Sequence, residues 1–235
     1  MKYGIVFLLV SSCISYFAFH SPWHLILLWP AVAFFMVSQA YFQNSANVFW
    51  KLPNGTRPVE ATWLLLPYLA FARIVWEIQV LFDSSDPFNQ VTEKLIIARR
   101  LKADEFPQDV ALVIDLTSEF VDPPLVRQHP GYVAEPVLDA AAIGFKKALL
   151  LADRASEVEG KVLIHCANGS GRSGHVSAIF LIAWREAKSA ADAIRMVQDA
   201  RPCVSLNAKQ VETVREAYFY VDKIRRTVIG FGADE

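Results

Sequence analysis

The first fifty residues of this sequence almost lack charge. Lys2 is the only charged side chain among them, and residues 3–50 contain no Asp, Glu, Lys or Arg. The rest of the 235-residue chain is charged at the density of an ordinary soluble domain. The sequence therefore predicts two parts, an apolar N-terminal part suited to lipid and a water-soluble part behind it.

The charge balance and the cysteine count exclude several classes of function. Lys and Arg number 23 against 24 Asp and Glu, and no basic run with interleaved aromatics occurs, so we expect no nucleic-acid partner. The three cysteines, Cys13, Cys166 and Cys203, are too few for a disulfide framework, and no Cys/His spacing matches a structural zinc site. We expect reduced thiols and neither a metal nor a cofactor.

Two apolar runs predict a transmembrane helical hairpin over residues 1–45. The runs are 3–19 and 23–42, and the second meets the ~20 residues that a membrane span needs. Basic residues lie outside the hairpin, with Lys2 before it and Lys51 and Arg57 after it, and none lies in the loop between the runs. The positive-inside rule therefore places both ends of the hairpin in the cytoplasm.

An alternative interpretation makes the N-terminus a lipoprotein signal sequence, since Val10-Ser11-Ser12-Cys13 loosely resembles a cleavage box. The charged region before it is a single Lys, and apolar sequence continues past Cys13, which are both atypical of a signal sequence. We therefore expect Cys13 to be a buried cysteine of the hairpin.

Residues 46–88 are predicted to be a turn-rich connector followed by an apolar helix over residues 62–82. Arg73 and Glu77 stand four apart and share one face of that helix. This pattern favours a helix that lies in the membrane interface. The alternative, a third span, would bury two charges and move the following domain across the membrane.

Residues 89–235 alternate short β-rich runs with amphipathic helices, which predicts an α/β domain with a central sheet flanked by helices. The apolar strand sequences show no polar alternation, so both faces of the sheet should be covered. The predicted strands are 94–97, 111–116, 132–137 and 161–165, and the predicted helices are 140–155, 173–187, 189–200 and 207–226.

The most informative stretch leads from a buried strand through Cys166 and a glycine-containing loop to Arg172, which opens a helix. Loop amides and a helix N-terminus bind phosphate, and an arginine grips two phosphate oxygens. The same positive field favours the thiolate form of Cys166. The predicted phosphate-binding residues are Ala167, Asn168, Gly169, Ser170, Gly171 and Arg172.

The pattern His165-Cys166-x5-Arg172-Ser173-Gly174 resembles the cysteine-dependent protein tyrosine and dual-specificity phosphatases, over roughly residues 91–220. The resemblance implies that Cys166 attacks phosphorus, that Arg172 stabilises the transferring phosphoryl group, and that Ser173 assists the departure of the thiolate. With the apolar N-terminus it suggests the membrane-anchored bacterial type, multi-pass in the inner membrane with a cytoplasmic catalytic domain.

The family also supplies an aspartic acid that protonates the leaving oxygen. The segment 132–139 resembles the strand that leads to this acid, which assigns the role to Asp139. A helix is expected to start directly at Ala140, so an N-cap role is the alternative for Asp139. Asp122 is the second candidate for the acid, and Asp115, inside an apolar strand, is expected to be structural.

Other residues near the motif are expected to support it. The stretch Arg201-Pro202 to Asn207 resembles a family turn that orders the back of the site. Gln210 is expected on a helix surface rather than positioning water, and Cys203 as a buried spare thiol rather than a disulfide partner of the nucleophile. His165 and His175 are expected to be hydrogen-bonded supports rather than catalysts.

The resemblance thus implies a membrane-anchored, metal-independent phosphomonoesterase that acts on phosphoproteins through a phosphocysteine. One alternative is a phospholipid phosphatase, for instance for phosphatidylglycerophosphate, and another is a non-catalytic phosphate-binding module. Polyphosphorylated inositol lipids are disfavoured, because no Lys or Arg lies between Cys166 and Arg172. Sulfur transferases and arsenate reductases share such a loop, but the surrounding strands and the Arg-Pro turn fit them less well.

Overall fold

The computed structural model describes residues 2–231. Met1 of the predicted hairpin and residues 232–235 of the predicted α/β domain lie outside this range. The chain forms two compact units that interleave in sequence. The first contains the chain up to Ser84 together with Thr117–Asp122 and Ala134–Asp139. The second contains Ser85–Leu116, Pro123–Val133 and the chain from Ala140 onward.

Three apolar helices form most of the first unit. They are α1 (Lys2–Ala18), α2 (Leu28–Gln43) and α3 (Val59–Phe82), and a 3-10 helix at Pro22–Leu27 precedes α2. The stretches Pro22–Gln43 and Val59–Phe82 are long and apolar enough to cross a membrane, and α1 is shorter. The two N-terminal helices are consistent with the predicted hairpin.

Small and polar side chains bring α1 and α2 together. Gly4 lies under the ring of Phe42, where a Cβ would be 3.1 Å from the nearest ring carbons. The Ser11 hydroxyl donates to the carbonyl of Ala31 at 2.8 Å. Such contacts are typical of helices that pair in lipid, where close backbone approach replaces the hydrophobic effect. The expectation that Cys13 is buried is wrong, because this thiol is exposed on α1.

Helix α3 starts three residues before the predicted segment and packs on α2. The ring of Phe34 lies 5.7 Å from that of Tyr68 and 5.6 Å from that of Phe71, measured between centroids. Arg73 and Glu77 share one face of α3, as predicted, and form an ion pair with both side chains about half exposed. The position of α3 on or in the bilayer stays a prediction.

The connector between α2 and α3 holds the segment that begins at Thr117. Lys51 Nζ donates to the Thr117 carbonyl at 2.7 Å and to its hydroxyl at 2.9 Å. Arg57 donates from Nη2 to the Ser118 carbonyl at 2.8 Å and from Nε to the Phe49 carbonyl at 2.7 Å. These bonds tie a segment distant in sequence to the apolar unit.

A five-stranded sheet has the strand order β1-β2-β5-β3-β4. Its strands are β1 (Phe88–Gln90), β2 (Leu95–Ala98), β3 (Val110–Thr117), β4 (Tyr132–Val137) and β5 (Lys161–His165). Strand β5 pairs in parallel with both β2 and β3, and β1 pairs antiparallel with β2. The four predicted strands are present. Strand β1 was not predicted, because its three partly exposed residues carry no hydrophobic pattern.

Five further α-helices belong to the described chain: α4 (Pro124–Arg127), α5 (Phe145–Ser156), α6 (Arg172–Ala183), α7 (Ala190–Ala200) and α8 (Ala208–Phe231). Residues 172–182 of α6 are all buried, including the polar side chains of its first two turns. The α/β class with a helix-flanked sheet is therefore confirmed.

The predicted helix start at Ala140 is wrong, because a loop covers residues 138–144 and α5 begins at Phe145 with Gly144 as its N-cap. Ala140 takes the left-handed conformation, with φ of 58°. The side chains of Asn207 and Gln210 bind the carbonyls of Ala140 and Ala141, which a helix would need for its own bonds. Tertiary contacts thus override the helix propensity of the alanines.

We predict that Arg57→Met destabilises the protein. The substitution removes the partner of two carbonyls, which costs about 1–3 kcal/mol for each that becomes buried and unsatisfied. Burial already lowers the pKa of Arg57 to about 10, against the opposing field of Glu119. Thermal unfolding of the full chain in detergent micelles should show a lower midpoint for Arg57→Met. Arg195→Met, which removes an exposed ion pair, should leave it unchanged; equal shifts in both variants would contradict this account.

Candidate active site

Strand β5 leads directly into the candidate site. Val162, Leu163 and Ile164 are fully buried between two parallel neighbours, and the chain turns at Cys166 where the strand ends. Residues 166–172, here called the phosphate loop, join β5 to the N-terminus of α6. The ends of parallel strands at such a crevice are the usual position of ligand sites in α/β folds.

The structure brings together the side chains that the motif singled out. Cys166 is 3% exposed, and its Sγ lies 3.3 Å from the Ser173 hydroxyl oxygen. Arg172, the first residue of α6, is 1% exposed. A thiol, a hydroxyl and a guanidinium at the start of one helix form the set that phosphoryl transfer to sulfur needs. The catalytic roles of Cys166, Arg172 and Ser173 remain predictions.

Gly169 determines the shape of the phosphate loop. Its φ is +67°, and a Cβ at this position would lie 2.6 Å from the Arg99 nitrogen and 2.8 Å from the Ala98 carbonyl carbon. The Arg100 amide donates to the carbonyl of Ala167 at 3.0 Å. The loop is therefore pressed against the residues that follow β2, at a distance only glycine allows. Asn168, in the middle of the loop, is exposed.

Arg201 supports the phosphate loop from behind. This side chain is fully buried, and its Nε donates to the Gly169 carbonyl at 2.9 Å, while Nη1 donates to the Asp86 carbonyl at 2.8 Å. The Ser170 hydroxyl donates to the Cys203 carbonyl at 2.7 Å. The prediction that the Arg-Pro turn orders the back of the site is confirmed. The prediction of a buried Cys203 thiol is wrong, because the residue is exposed.

Gln210 is buried, which corrects the expectation of a surface glutamine; it is 1% exposed. Its Nε2 donates to the Ala141 carbonyl at 3.0 Å, and a Cβ on Gly171 would lie 3.2 Å from the same nitrogen. Gln210 also forms a reciprocal pair with Asn207, each side-chain oxygen accepting from the other's backbone amide. This is a capping box at the start of α8, a signal that the spacing of three residues offered.

His175 is a hydrogen-bonded support, as predicted. Its Nε2 accepts from the Ile143 amide at 3.1 Å, and its Nδ1 lies 3.2 Å from the Gly171 carbonyl oxygen. The proton must therefore sit on Nδ1. Burial lowers the pKa of His175 to about 4, against the weaker raising effect of backbone hydrogen bonds. The imidazole is neutral at ordinary pH.

His165 and Asp115 form a buried polar pair below the loop. His165 Nε2 lies 3.9 Å from Asp115 Oδ1, and the two side chains are 1% and 0% exposed. The Tyr132 hydroxyl donates to the other carboxylate oxygen of Asp115 at 2.5 Å. Asp115 is thus buried and hydrogen-bonded within β3, and its structural role stays a prediction.

The two candidates for the general acid both belong to the first unit. Asp139 is exposed in the turn after β4, so the alternative role as a helix N-cap is wrong. Asp122 is 3% exposed. The assignment of Asp139 as the acid stays a prediction.

Comparison with known proteins identifies the fold. Residues 126–220 match the family model described as "Dual specificity phosphatase, catalytic domain". Tk-PTP in its active form is 24% identical, with 56% of this chain and 96% of that chain covered and a TM-score of 0.50. PTPMT1 is 16% identical, with 60% and 99% covered and a TM-score of 0.51. No curated protein is significantly similar in sequence.

A mouse putative dual specificity phosphatase complexed with zinc tungstate is also similar. It is 21% identical, with 60% of this chain and 92% of that chain covered and a TM-score of 0.50. The resemblance stated from the motif is thus confirmed by the family match and by the fold.

We predict that Gly169→Ala damages both the stability of the fold and anion binding. The left-handed backbone and the contact with the Ala98–Arg99 peptide should cost about 1–3 kcal/mol. Gly144→Ala is the matched control, since a Cβ there meets no atom within 4 Å. Calorimetric titration with tungstate and thermal unfolding should separate the two variants. Tungstate binding by Gly169→Ala as tight as that of the native protein would refute the role given to this glycine.

Because of His175, the free energy of unfolding should depend measurably on pH in the acid range. The pKa is 6.5 in the unfolded chain and about 4 in the fold, so the unfolded state takes up the proton first as the pH falls. The free energy of unfolding should therefore fall by about 3 kcal/mol from this group between neutral pH and pH 4. Urea unfolding of His175→Gln should show a flatter profile over this range, and identical slopes would contradict the buried neutral imidazole.

Proposed function

We propose that this chain is a membrane-anchored protein phosphatase that works through a phosphocysteine, because residues 126–220 match the model of the dual-specificity phosphatase catalytic domain. The observation that carries the proposal is the contact of Cys166 Sγ with the Ser173 hydroxyl at 3.3 Å, beside the buried Arg172 at the start of α6. A buried cysteine with no catalytic role would require neither the Ser173 hydroxyl nor the Arg172 guanidinium nearby.

The first chemical step forms the phosphocysteine. The Cys166 thiolate attacks phosphorus, and the bond from phosphorus to the leaving oxygen breaks as Asp139 donates its proton to that oxygen. Arg172 and the amides of the phosphate loop stabilise the equatorial oxygens of the transferring group. No metal ion takes part in this scheme.

The second step releases phosphate. A water molecule attacks phosphorus, its proton passes to the Asp139 carboxylate, and the sulfur–phosphorus bond breaks to restore the thiolate. The Ser173 hydroxyl is placed to donate a hydrogen bond to the departing sulfur. Such a bond lowers the energy of the leaving thiolate.

A second candidate function is a phospholipid phosphatase, such as one for phosphatidylglycerophosphate. The apolar helices α2 and α3 favour a substrate at the membrane. PTPMT1, which has the same fold, has been solved in complex with PI(5)P; in that structure it is 18% identical, with 60% of this chain and 99% of that chain covered and a TM-score of 0.50. The phosphate loop has no Lys or Arg between Cys166 and Arg172, so a headgroup of modest charge fits better than a polyphosphorylated one.

The proposed location is the bacterial inner membrane, with several passes and the catalytic domain in the cytoplasm. The basic residues on the outer flanks of the hairpin support this orientation. Protease added to the cytoplasmic face of sealed membrane vesicles tests this orientation and should digest the chain beyond residue 91. Resistance of that part of the chain to the protease would contradict the orientation.

The experiment that tests the function measures phosphate release by the full chain in mixed micelles, with and without a chelator. Phosphatidylglycerophosphate and a phosphotyrosine peptide are the two substrates, and Cys166→Ser is the control for each. We expect chelator-resistant turnover of the peptide that Cys166→Ser abolishes. Turnover of the lipid alone would establish the second candidate. Tungstate binding without turnover of either substrate would indicate a non-catalytic phosphate-binding module.

We predict that Asp139→Asn lowers kcat by about 10²–10⁴-fold, the usual contribution of a general acid. Asp122→Asn is the matched control, because it is the same change at the buried candidate. Steady-state kinetics with the preferred substrate measures both variants. A full loss in Asp122→Asn with native turnover in Asp139→Asn would transfer the role to Asp122.

A further inference from the structure

His175 connects two parts of the chain that are distant in sequence. One ring nitrogen faces the Gly171 carbonyl, in the phosphate loop, and the other accepts the amide of Ile143, in the 138–144 loop. The residue is 0% exposed. Both nitrogens are occupied, so this imidazole has no remaining site for a proton from a substrate.

The 138–144 loop is held at three of its backbone groups. Asn207 Nδ2 donates to the Ala140 carbonyl at 2.7 Å, Gln210 Nε2 donates to the Ala141 carbonyl at 3.0 Å, and His175 accepts from Ile143. Ala140 has φ of 58°. A non-glycine residue keeps such a backbone only where its surroundings enforce it. The three side chains are therefore a clamp on this loop.

The clamped residues directly follow Asp139 in the chain. Asn207 and Gln210 belong to the cap of α8, and the side chain of Gln210 also lies against Gly171 of the phosphate loop. His175 differs in that one ring makes a polar contact with each segment, with the Ile143 amide and with the Gly171 carbonyl.

We propose that His175 is a positioning residue for general-acid catalysis, holding the loop that carries Asp139 through the same ring that contacts the phosphate loop. The inference rests on the proposed function, since it presumes that Asp139 protonates the leaving group. His175 does not touch the reacting atoms. Its effect on the rate is therefore greatest where the leaving group most needs a proton.

Two substrates separate this role from a general structural one. The p-nitrophenolate of p-nitrophenyl phosphate leaves without much help from an acid, whereas the phenolate of phenyl phosphate depends on it. Loss of acid positioning should lower kcat/KM for phenyl phosphate and leave the other substrate almost unchanged. Damage to the phosphate loop would lower both equally, because both substrates carry the same phosphoryl group.

Three substitutions separate the two contacts of the ring. Gln retains an acceptor near the place of Nε2, Asn retains a donor near the place of Nδ1, and Leu retains neither. We expect His175→Leu and His175→Asn to lower kcat/KM for phenyl phosphate at least about tenfold, within the range of acid catalysis. His175→Gln should recover most of this loss, because it can still accept from Ile143.

The control is His129→Gln, at a histidine that bridges backbone groups in the same manner elsewhere in the second unit. His129 Nδ1 accepts from the Gly131 amide at 3.1 Å, and its Nε2 lies 3.0 Å from the Val110 carbonyl oxygen. This variant should keep the native ratio of kcat/KM between the two substrates. Thermal unfolding of each full-length variant in micelles identifies any loss due to misfolding.

The outcomes distinguish the inference from the function on which it rests. A native substrate ratio in both His175→Leu and His175→Asn, or equal losses on both substrates, would overturn the positioning role while Cys166-dependent turnover stood. Absence of Cys166-dependent turnover in the native chain would overturn the proposed function itself. A selective loss of kcat/KM for phenyl phosphate in His175→Leu and His175→Asn, with most of the activity recovered in His175→Gln, would support the positioning role and the proposed function together.

Discussion

The site depends on the close contact between Gly169 and the Ala98–Arg99 peptide. A backbone-to-backbone approach of this kind fixes the bend of the phosphate loop without any side chain, and Arg201 closes it from behind through the Gly169 carbonyl. Cys166 and Arg172 stand at the two ends of that bend. The positions of the thiol and the guanidinium follow from the loop, and the rest of the sheet serves to hold β2 and β5 in register.

A second constraint comes from the apolar helices. The connector after α2 binds Thr117 and Ser118 through Lys51 and Arg57, so part of the phosphatase-like sequence belongs to the same compact unit as the apolar helices. Asp139 also lies in that unit. The connector therefore does more than join two helices, because Lys51 and Arg57 donate to backbone carbonyls of a segment distant in sequence.

The sequence predicted the parts of the site that are contiguous. The strand, the phosphate loop and α6 lie within one short stretch, so their order alone indicated the geometry that the structure has. Prediction from the sequence was wrong where residues distant in the chain determine the local conformation. The alanines after Asp139 form a loop because Asn207 and Gln210 capture their carbonyls, and Gln210 is buried for the same reason. Cys13 is exposed because α1 turns that face away from its neighbours, which hydropathy alone does not reveal.

The central claim is that Cys166 carries the phosphoryl group during turnover. Acid quenching of the full chain in micelles during turnover, followed by peptide mass spectrometry, tests it most directly. The account predicts a phosphoryl group on the peptide that contains Cys166, increased by Asp139→Asn if that carboxylate also activates the water, and absent from Cys166→Ser. Rapid turnover with no phosphoryl group on that peptide at any quench time, or an undiminished rate in Cys166→Ser, would contradict the account.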